Sequence, residues 1–316
     1  MVSITDALDR GTVDELTNSP RNNYTSIVLL RELKSHAVFT TNGQDADVAT
    51  VAVSDGDESV EYSSGLMFMR KQTGSDRRYG KSMQRDILGI EDTMNVNRMN
   101  QYSPESVLYG SAASEGDEAI SVTSRVLYDT AYTVRDSTAV IDEKFQNAPG
   151  DDYAKEATAA VREPDFFEPG TLFPSVVTLR DATPEEVVFA LGITLQNKRY
   201  GAATSRLGRV KNHVVDIYVG NEEGPANLEL SKALVHRFAE SEGSIEDVVH
   251  ANSLDPDAAL SFLSEEYASL SESLNAERLS DEDVESLKET ATENIDEVLE
   301  TQQDNAKEFI ESVTES

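Results

Sequence analysis

Two short segments of this chain carry the residue types that bind phosphate groups. Residues 70–85 hold six cationic side chains and one acid, Asp76, and residues 198–213 hold five cationic side chains and no acid. Arginine and lysine make charge-assisted hydrogen bonds to phosphate, and arginine can make two in parallel. We call these stretches the first and the second basic segment. Their composition predicts a surface that contacts a phosphodiester chain.

The second basic segment has further features of a nucleic-acid contact. Its small residues let a backbone approach closely, and its tyrosine can stack on a base. The candidate nucleic-acid-binding residues of the two segments are Arg70, Lys71, Arg77, Arg78, Lys81, Arg85, Lys198, Arg199, Tyr200, Thr204, Ser205, Arg206, Arg209 and Lys211. The alternative is that these cations pair with acids of the same chain or of an acidic partner.

The two basic segments stand out because the rest of the chain is strongly acidic. Its 316 residues include 59 acidic and 27 basic side chains, for a formal net charge of -32. Acidic surfaces of this kind keep proteins hydrated at molar salt, so the composition indicates a halophilic cytosol. At about 1 M salt the Debye length is only about 3 Å, so contact-range pairs decide binding. Long apolar and β-branched runs argue against a disordered acidic chain.

Several classes of function lack their sequence signature here. The chain has no cysteine, which excludes disulfides and thiolate metal sites, and its four histidines form no ligand-spaced pair. It shows no Walker loop and no GxGxxG, HExxH or GxSxG motif. No apolar stretch is long enough to span a membrane, and the N-terminus lacks a signal-peptide pattern. We therefore expect a cytoplasmic protein that needs no cofactor and has no membrane partner.

A pair of carboxylates provides the one candidate catalytic site. Asp45 and Asp47 follow an Asn42-Gly43 turn signal after the first predicted strand. They could hold a divalent metal at a scissile phosphate. The alternative is an ordinary solvated acidic loop. We expect binding to be the main activity, with cleavage of a nucleic-acid strand as the alternative.

The elements that carry these residues alternate between strands and helices. An apolar run predicts a central strand over residues 24–33, and residues 67–90 have the pattern of a helix with cations on one side. A second strand follows at residues 173–179, then a helix that begins at the capping box of residues 183–186, then a strand at residues 214–219. This order predicts an α+β fold with a split βαβ core of the ferredoxin-like or RRM-like type.

The chain also divides by composition. We expect a body over residues 1–240, with an insertion of loops and a β-hairpin at about residues 91–172. Strong strand propensity makes residues 120–135 the candidate for that hairpin. Residues 241–316 form a separate acidic helical region, since residues 221–316 hold 26 acids against 5 bases and show apolar stripes at helical spacing.

Six segments of the body together resemble a known family. They are His36–Gly43 (HAVFTTNG), Arg77–Lys81 (RRYGK), Leu108–Ala112 (LYGSA), Phe145–Gly150 (FQNAPG), Phe173–Asp181 (FPSVVTLRD) and Arg199–Arg209 (RYGAATSRLGR). As an ordered set they are similar to the backbone subunit of the type I-D CRISPR interference complex, a member of the RAMP superfamily of guide-RNA-binding proteins. The resemblance covers about residues 20–240 and leaves the acidic C-terminal region unmatched.

The resemblance implies a modified RRM-like palm with inserted finger and thumb elements. It implies that several copies line up along one CRISPR RNA, together with other subunits of the complex, and that each thumb interrupts pairing with target single-stranded DNA. Carried onto this chain, both basic segments would hold guide phosphates, and residues 120–135 would be the thumb. Because related backbone subunits can cut the target strand, Asp45 or Asp47 would be the cutting residue. An RNA-free interaction protein that works through its acidic helices is the remaining alternative.

Overall fold

The chain folds into helices and antiparallel sheets, the α+β class that its sequence predicts. The computed structural model describes residues 4–41, 43–56, 58–112, 120–143, 145–146, 161–201 and 207–314. The strands in these ranges are β1 Tyr24–Leu33, β2 Val48–Asp55, β3 Glu58–Met67, β4 Ser111–Ala112, β5 Ser121–Val122, β6 Val126–Tyr128, β7 Ala131–Asp136, β8 Ile141–Asp142, β9 Phe145–Gln146, β10 Val161–Arg162, β11 Phe166–Phe167, β12 Leu172–Arg180, β13 Arg199–Tyr200, β14 Gly208–Gly220 and β15 Ala276–Arg278. The helices are α1 Ile4–Leu8, α2 Met69–Leu88, α3 Pro104–Tyr109, α4 Ser137–Val140, α5 Pro184–Gln196, α6 Asn227–Glu242, α7 Ile245–Val249, α8 Pro256–Ser271, α9 Asp281–Glu293 and α10 Ile295–Thr314.

A central antiparallel sheet organises the molecule. Its strand order is β13-β14-β1-β12-β6, and β15 adds to β14. Strand β1 lies in the middle, where Tyr24 is opposite Arg180 of β12 on one side and Gly220 of β14 on the other. The strand–helix–strand units β1–α2–β6 and β12–α5–β14 are therefore interleaved, with one strand of each unit between the two strands of the other.

Helices cover both faces of this sheet. Successive side chains of a strand point to opposite faces. Ile27 and Leu29 of β1 accordingly belong to a core with α5, α9 and α10, whereas Val28 and Leu30 belong to a second core with α6, α7 and α8. The apolar run of β1 is long because both faces of the strand are buried. The broad surface of the sheet is consequently closed to a ligand.

The C-terminal helices share these cores with the body. Leu287, Ala291 and Leu299 of α9 and α10 pack in one cluster with Val187 and Leu191 of α5. Helices α7 and α8 close the other cluster, and β15 extends the central sheet itself. The predicted boundary near residue 240 therefore marks a change in composition, while residues on both sides of it pack in the same two cores. None of the helices in the described ranges has the length and apolarity needed to cross a lipid bilayer.

Residues 120–135 do not form the predicted hairpin. Strand β5 pairs with β4, β6 pairs with β12 at the edge of the central sheet, and β7 pairs with β3 in a second sheet of order β2-β3-β7. The segment is divided because its apolar side chains enter different cores, with Val126 in one and Val134 in another. The prediction of a hairpin over residues 120–135 was wrong, and the thumb role of this segment stays a prediction.

A buried charge network fixes α2 to the chain that follows it. Lys81 is 1% exposed, and its Nζ lies 2.6 Å from Asp92 Oδ2 and 2.5 Å from Glu105 Oε2. Arg77 donates from Nε to Glu105 Oε1 at 2.6 Å, and Arg85 donates to the Asp92 carbonyl oxygen at 2.7 Å. Further donors to the Asp92 carboxylate are Gln84, Ser103, Ser106 and the backbone N–H of Asn100.

This network changes the role of three predicted RNA-binding residues. Lys81 is enclosed by two carboxylates. Arg77 pairs with Glu105 of α3, and Arg85 donates to the Asp92 carbonyl oxygen, so these cations hold α2 in place and do not face a ligand. Burial by itself raises the pKa of Asp92, but the N–H of Asn100 and the side chains of Lys81 and Ser103 outweigh it and lower that pKa. Asp92 therefore stays ionised opposite Lys81.

We expect Lys81→Ala to destabilise the fold strongly. The substitution leaves two buried carboxylates without their cation, a loss that costs about 3–5 kcal/mol in comparable buried pairs. Lys71→Ala on the same helix is the matched control, because Lys71 is only partly buried and makes no ion pair among the described residues, and its expected effect is within about 0.5 kcal/mol. Urea unfolding of both variants at one salt concentration measures the difference, and equal free energies of unfolding would contradict the assignment.

We also expect the C-terminal helices to unfold together with the body. Leu287→Ala removes a fully buried side chain from the core shared with α5 and should cost about 2–5 kcal/mol. Leu270→Ala, at a position 37% exposed on α8, is the control with the same chemistry and a smaller expected loss. Circular dichroism and tyrosine fluorescence should report one coincident transition. A separate transition for the helices after residue 240 would show an independent domain.

Candidate nucleic-acid interface

The second basic segment lies at one edge of the central sheet. Arg199 of β13 is directly opposite Arg209 at the start of β14, and Val210 N–H donates to the Lys198 carbonyl oxygen at 3.0 Å. Because side chains alternate along β14, Val210 points inward while Arg209 and Lys211 point to solvent. The short ladder therefore presents Arg199, Arg209 and Lys211 on one side, and Lys198, which is also exposed, directly precedes it.

These four cations lack carboxylate partners in the part of the chain that the structure describes. Lys198, Arg199, Arg209 and Lys211 are all exposed, and no described acid comes within ion-pair distance of them. Arg199 donates from Nη1 to the Leu207 carbonyl oxygen at 3.2 Å, which holds its side chain along the segment. Unpaired cations are unusual in a chain of net charge -32. Their charges are available to an anion.

Three cations of the first basic segment also reach the surface. Arg70 and Arg78 are exposed and Lys71 is partly buried. The Arg70 guanidinium lies over the Phe68 ring, 5.4 Å from its centroid. Burial lowers the pKa of Lys71, Arg70 lowers it further, and nearby Asp47 opposes both effects. The surface cations of α2 thus differ from Arg77, Lys81 and Arg85, which the buried network holds.

The two basic segments meet at Ser75. The Ser75 hydroxyl donates to the Arg199 carbonyl oxygen, which joins α2 to β13. Lys71 and Arg78 lie four and three residues from Ser75, so they share its side of the helix. The Ser75 contact therefore places the side of α2 that carries Lys71 and Arg78 next to β13.

Tyr200 does not occupy the position that base stacking needs. It is fully buried, and its hydroxyl donates to Asp76 Oδ1 at 2.6 Å. Burial and then the Asp76 charge raise the pKa of Tyr200, so the hydroxyl keeps its proton. Residues 199 and 200 form a strand, and alternation turns Arg199 outward and Tyr200 inward. The stacking prediction was wrong because it treated this strand as a loop.

Two glycines bring the second basic segment close to the core. Gly201 has φ 131°, in the region that favours glycine, and a Cβ there would lie 2.8 Å from the Val38 carbonyl oxygen. A Cβ on Gly208 would lie 2.2 Å from the Ala37 Cβ. Thr204, Ser205 and Arg206, which complete the predicted site, lie outside the described residues.

Asp45 and Asp47 have different surroundings. Asp45 is exposed, and its Oδ1 lies 2.5 Å from Arg162 Nη1, while the same guanidinium also contacts Glu143 and Asp165. Asp47 lies beside β3 and accepts the Leu66 N–H through its carbonyl oxygen at 2.9 Å. Within the described ranges no three histidine, aspartate or glutamate side chains are arranged to hold a metal ion. The proposed catalytic role of these residues stays a prediction.

Sequence reasoning missed other residues at this edge. Lys34 donates its N–H to the Arg209 carbonyl oxygen at 2.7 Å, and its ammonium pairs with Glu32. A lone lysine gives no signal in a sequence, and only the pairing of β1 with β14 brings it here. Asp76 and Asn197 also belong to the site, as buried supports of Tyr200 and its neighbours. The isolated acid within the first basic segment was the available signal for Asp76.

Comparison with known proteins gives matches along nearly the whole chain. The protein-family model described as "Csc2 Crispr" matches residues 13–314. The crystal structure of Thermofilum pendens Csc2 is similar at a TM-score of 0.66 and 13% identity, covering 100% of this chain and 98% of that chain. A structure titled "CRISPR RNA-guided surveillance complex" gives a TM-score of 0.44 at 12% identity, covering 81% of this chain and 87% of that chain. A search of curated proteins found no match.

The likeness to the Thermofilum pendens protein shows a shared α+β fold. The family match reaches beyond residue 240, where the sequence resemblance stopped, and so includes the acidic helices that complete both cores. Because that match extends over nearly the entire sequence, the chain belongs to the Csc2 CRISPR family.

Proposed function

We propose that this chain is a guide-RNA-binding backbone subunit of a type I-D CRISPR interference complex. The observation that carries the proposal is the group of exposed cations at the β13–β14 edge, which form no ion pair with the described acids of this acidic protein of the Csc2 family. Phosphate is the anion that such a group fits, because several positive charges follow one another along an extended path. Binding of this kind depends on the backbone and is indifferent to base sequence, as a subunit that accepts many guides requires.

The proposed RRM-like core would work without the usual stacking face. Interleaved strand–helix–strand units support an RRM-like ancestry for the central sheet. In RRM domains the open sheet face carries aromatic side chains that stack on bases. Here α6, α7 and α8 cover that face, and Tyr218 packs against Tyr267 beneath them. The guide would therefore follow the edge of the sheet, where cations contact its phosphates.

The acidic shell supports selective contact at that edge. Helices α9 and α10 expose many carboxylates, and Lys288 and Lys307 on these helices pair with local acids. At the high salt that we propose for the host cytosol, charges act over only about one contact distance. Phosphates would be repelled by the carboxylate surface and held where cations lack partners. This separation favours one binding path across each subunit.

We further propose that several copies associate along one guide beside other complex subunits. A backbone subunit grips a fixed stretch of RNA and leaves bases free to pair with target single-stranded DNA. Both contacts at the β13–β14 edge and on α2 involve surface side chains, so the bases can face away from the protein. An RNA-free role through the acidic helices is the competing function, and measurement of RNA binding separates the two.

Neutralising three cations of the β13–β14 edge should weaken RNA binding. The variant Lys198→Ala/Arg199→Ala/Arg209→Ala removes up to three phosphate contacts, each of which contributes about 0.7 to the slope of log K against log salt for a single strand. The magnitude of this negative slope should therefore decrease by about 2. Affinity for a labelled single-stranded RNA should fall at least tenfold at the lower salt concentrations. Fluorescence anisotropy over a salt series measures both quantities.

The control variant is Lys232→Ala/Lys288→Ala/Lys307→Ala, which removes the same charge from helices remote from this edge. Wild-type slope and affinity are expected for the control. Equal losses in both triple variants would show that net charge alone governs binding. An absence of RNA binding by the wild-type chain and its complex would favour the RNA-free role.

A further inference from the structure

We propose that Asp76 is a positioning residue that sets Lys198 and Arg199 at the surface for contact with guide RNA. This inference rests on the proposed function, because it assigns a purpose to the presentation of those two cations. Asp76 is fully buried on α2, and it is the one acid of the first basic segment. Its carboxylate faces inward toward the second basic segment.

One oxygen of the Asp76 carboxylate binds the residues on either side of the cation pair. Asn197 Nδ2 donates to Oδ1 at 2.7 Å, and the Tyr200 hydroxyl donates to the same Oδ1 at 2.6 Å. Lys198 and Arg199 are the two residues between these donors. Because their neighbours are drawn to a single buried atom, the two cationic side chains are directed away from the core, and both are exposed.

Other hydrogen bonds fix the backbone of the same short segment. Ser75, next to Asp76, donates its hydroxyl to the Arg199 carbonyl oxygen. The Arg199 N–H donates to Asn197 Oδ1 at 3.3 Å. Asn212 of β14 donates from Nδ2 to the Tyr200 hydroxyl oxygen at 2.9 Å. The segment therefore has one orientation relative to α2, and Lys71 and Arg78 of α2 lie beside it.

The second carboxylate oxygen of Asp76 contacts two strands of the central sheet. The Tyr128 hydroxyl of β6 donates to Oδ2 at 2.9 Å, and Arg31 Nη2 of β1 lies 4.0 Å from it. Burial alone lowers the pKa of Arg31, but Tyr200 and Asp76 outweigh it and raise that pKa, so the guanidinium stays charged. Arg31 also lies over the Tyr200 ring, 5.1 Å from its centroid. The buried carboxylate thus connects α2, two strands of the sheet and the basic edge.

The test compares two variants that remove one donor each from Asp76 Oδ1. Tyr200→Phe keeps the buried ring and loses the hydroxyl, and Asn197→Ala loses the amide. With Lys198 and Arg199 no longer held outward, each variant should bind a labelled single-stranded RNA about three- to tenfold more weakly. The slope of log K against log salt is negative, and its magnitude should decrease by up to about 1.4, the equivalent of two phosphate contacts. Circular dichroism at each salt concentration gives the folded fraction, and a purely structural defect leaves the slope unchanged once binding is expressed per folded protein.

Tyr62→Phe is the matched control, because Tyr62 is also buried and its hydroxyl donates to the Thr133 carbonyl oxygen at 3.1 Å, in the second sheet. It should keep the wild-type slope.

Wild-type slopes in both Asn197→Ala and Tyr200→Phe would overturn the inference, provided that Lys198→Ala/Arg199→Ala lowers the slope. If Tyr200→Phe fails to fold by circular dichroism, Asn197→Ala alone decides. If neither the wild-type chain nor Lys198→Ala/Arg199→Ala shows salt-dependent RNA binding, the proposed function itself fails.

Discussion

Burial of charged side chains along α2 determines how this helix packs against its neighbours. Asp76 and Lys81, only five residues apart, both lose contact with water and each requires compensating partners. Lys81 obtains them from Asp92 and Glu105, which brings the following loop and α3 against the helix. Asp76 obtains them from Tyr200 and the strands of the sheet. Two buried polar groups therefore hold the helix in place. Lys81 binds Asp92 and Glu105, and Asp76 binds Tyr200.

This arrangement explains how a very acidic protein keeps a basic surface. Cations of one helix separate into members held by the buried network, such as Lys81 and Arg77, and surface members that form no ion pair with the acids that the structure describes. The same helix then presents its free cations beside the β13–β14 edge through the contact of Ser75 with Arg199. The packing of α2 thus accounts both for the paired charges in the interior and for the exposed cations at the edge. Helices α9 and α10 expose many acidic side chains elsewhere on the surface.

Coverage of both sheet faces determines what kind of binding this fold can support. The C-terminal helices complete the cores on either side of β1, so apolar burial stabilises the sheet from two directions. With both faces covered, the cations of the β13–β14 edge lie at the border of the sheet. Glycines at positions 201 and 208 allow that edge to approach the Ala37–Val38 backbone closely. A rigid, charged edge favours recognition of a repeating backbone over recognition of bases.

Features that depend on local chemistry could be predicted from the amino-acid sequence. The apolar run of β1, the Thr183 capping box that starts α5 and the two basic segments were all visible without coordinates, since each follows from neighbouring residues. The resemblance to a CRISPR backbone subunit agreed with the family to which the chain belongs. The burial of Lys81, the partial exposure of Lys71 on the same helix and the inward orientation of Tyr200 could not be predicted from the sequence. Those outcomes depend on partners distant in sequence, such as Glu105 and Asp76, which become neighbours when the chain packs.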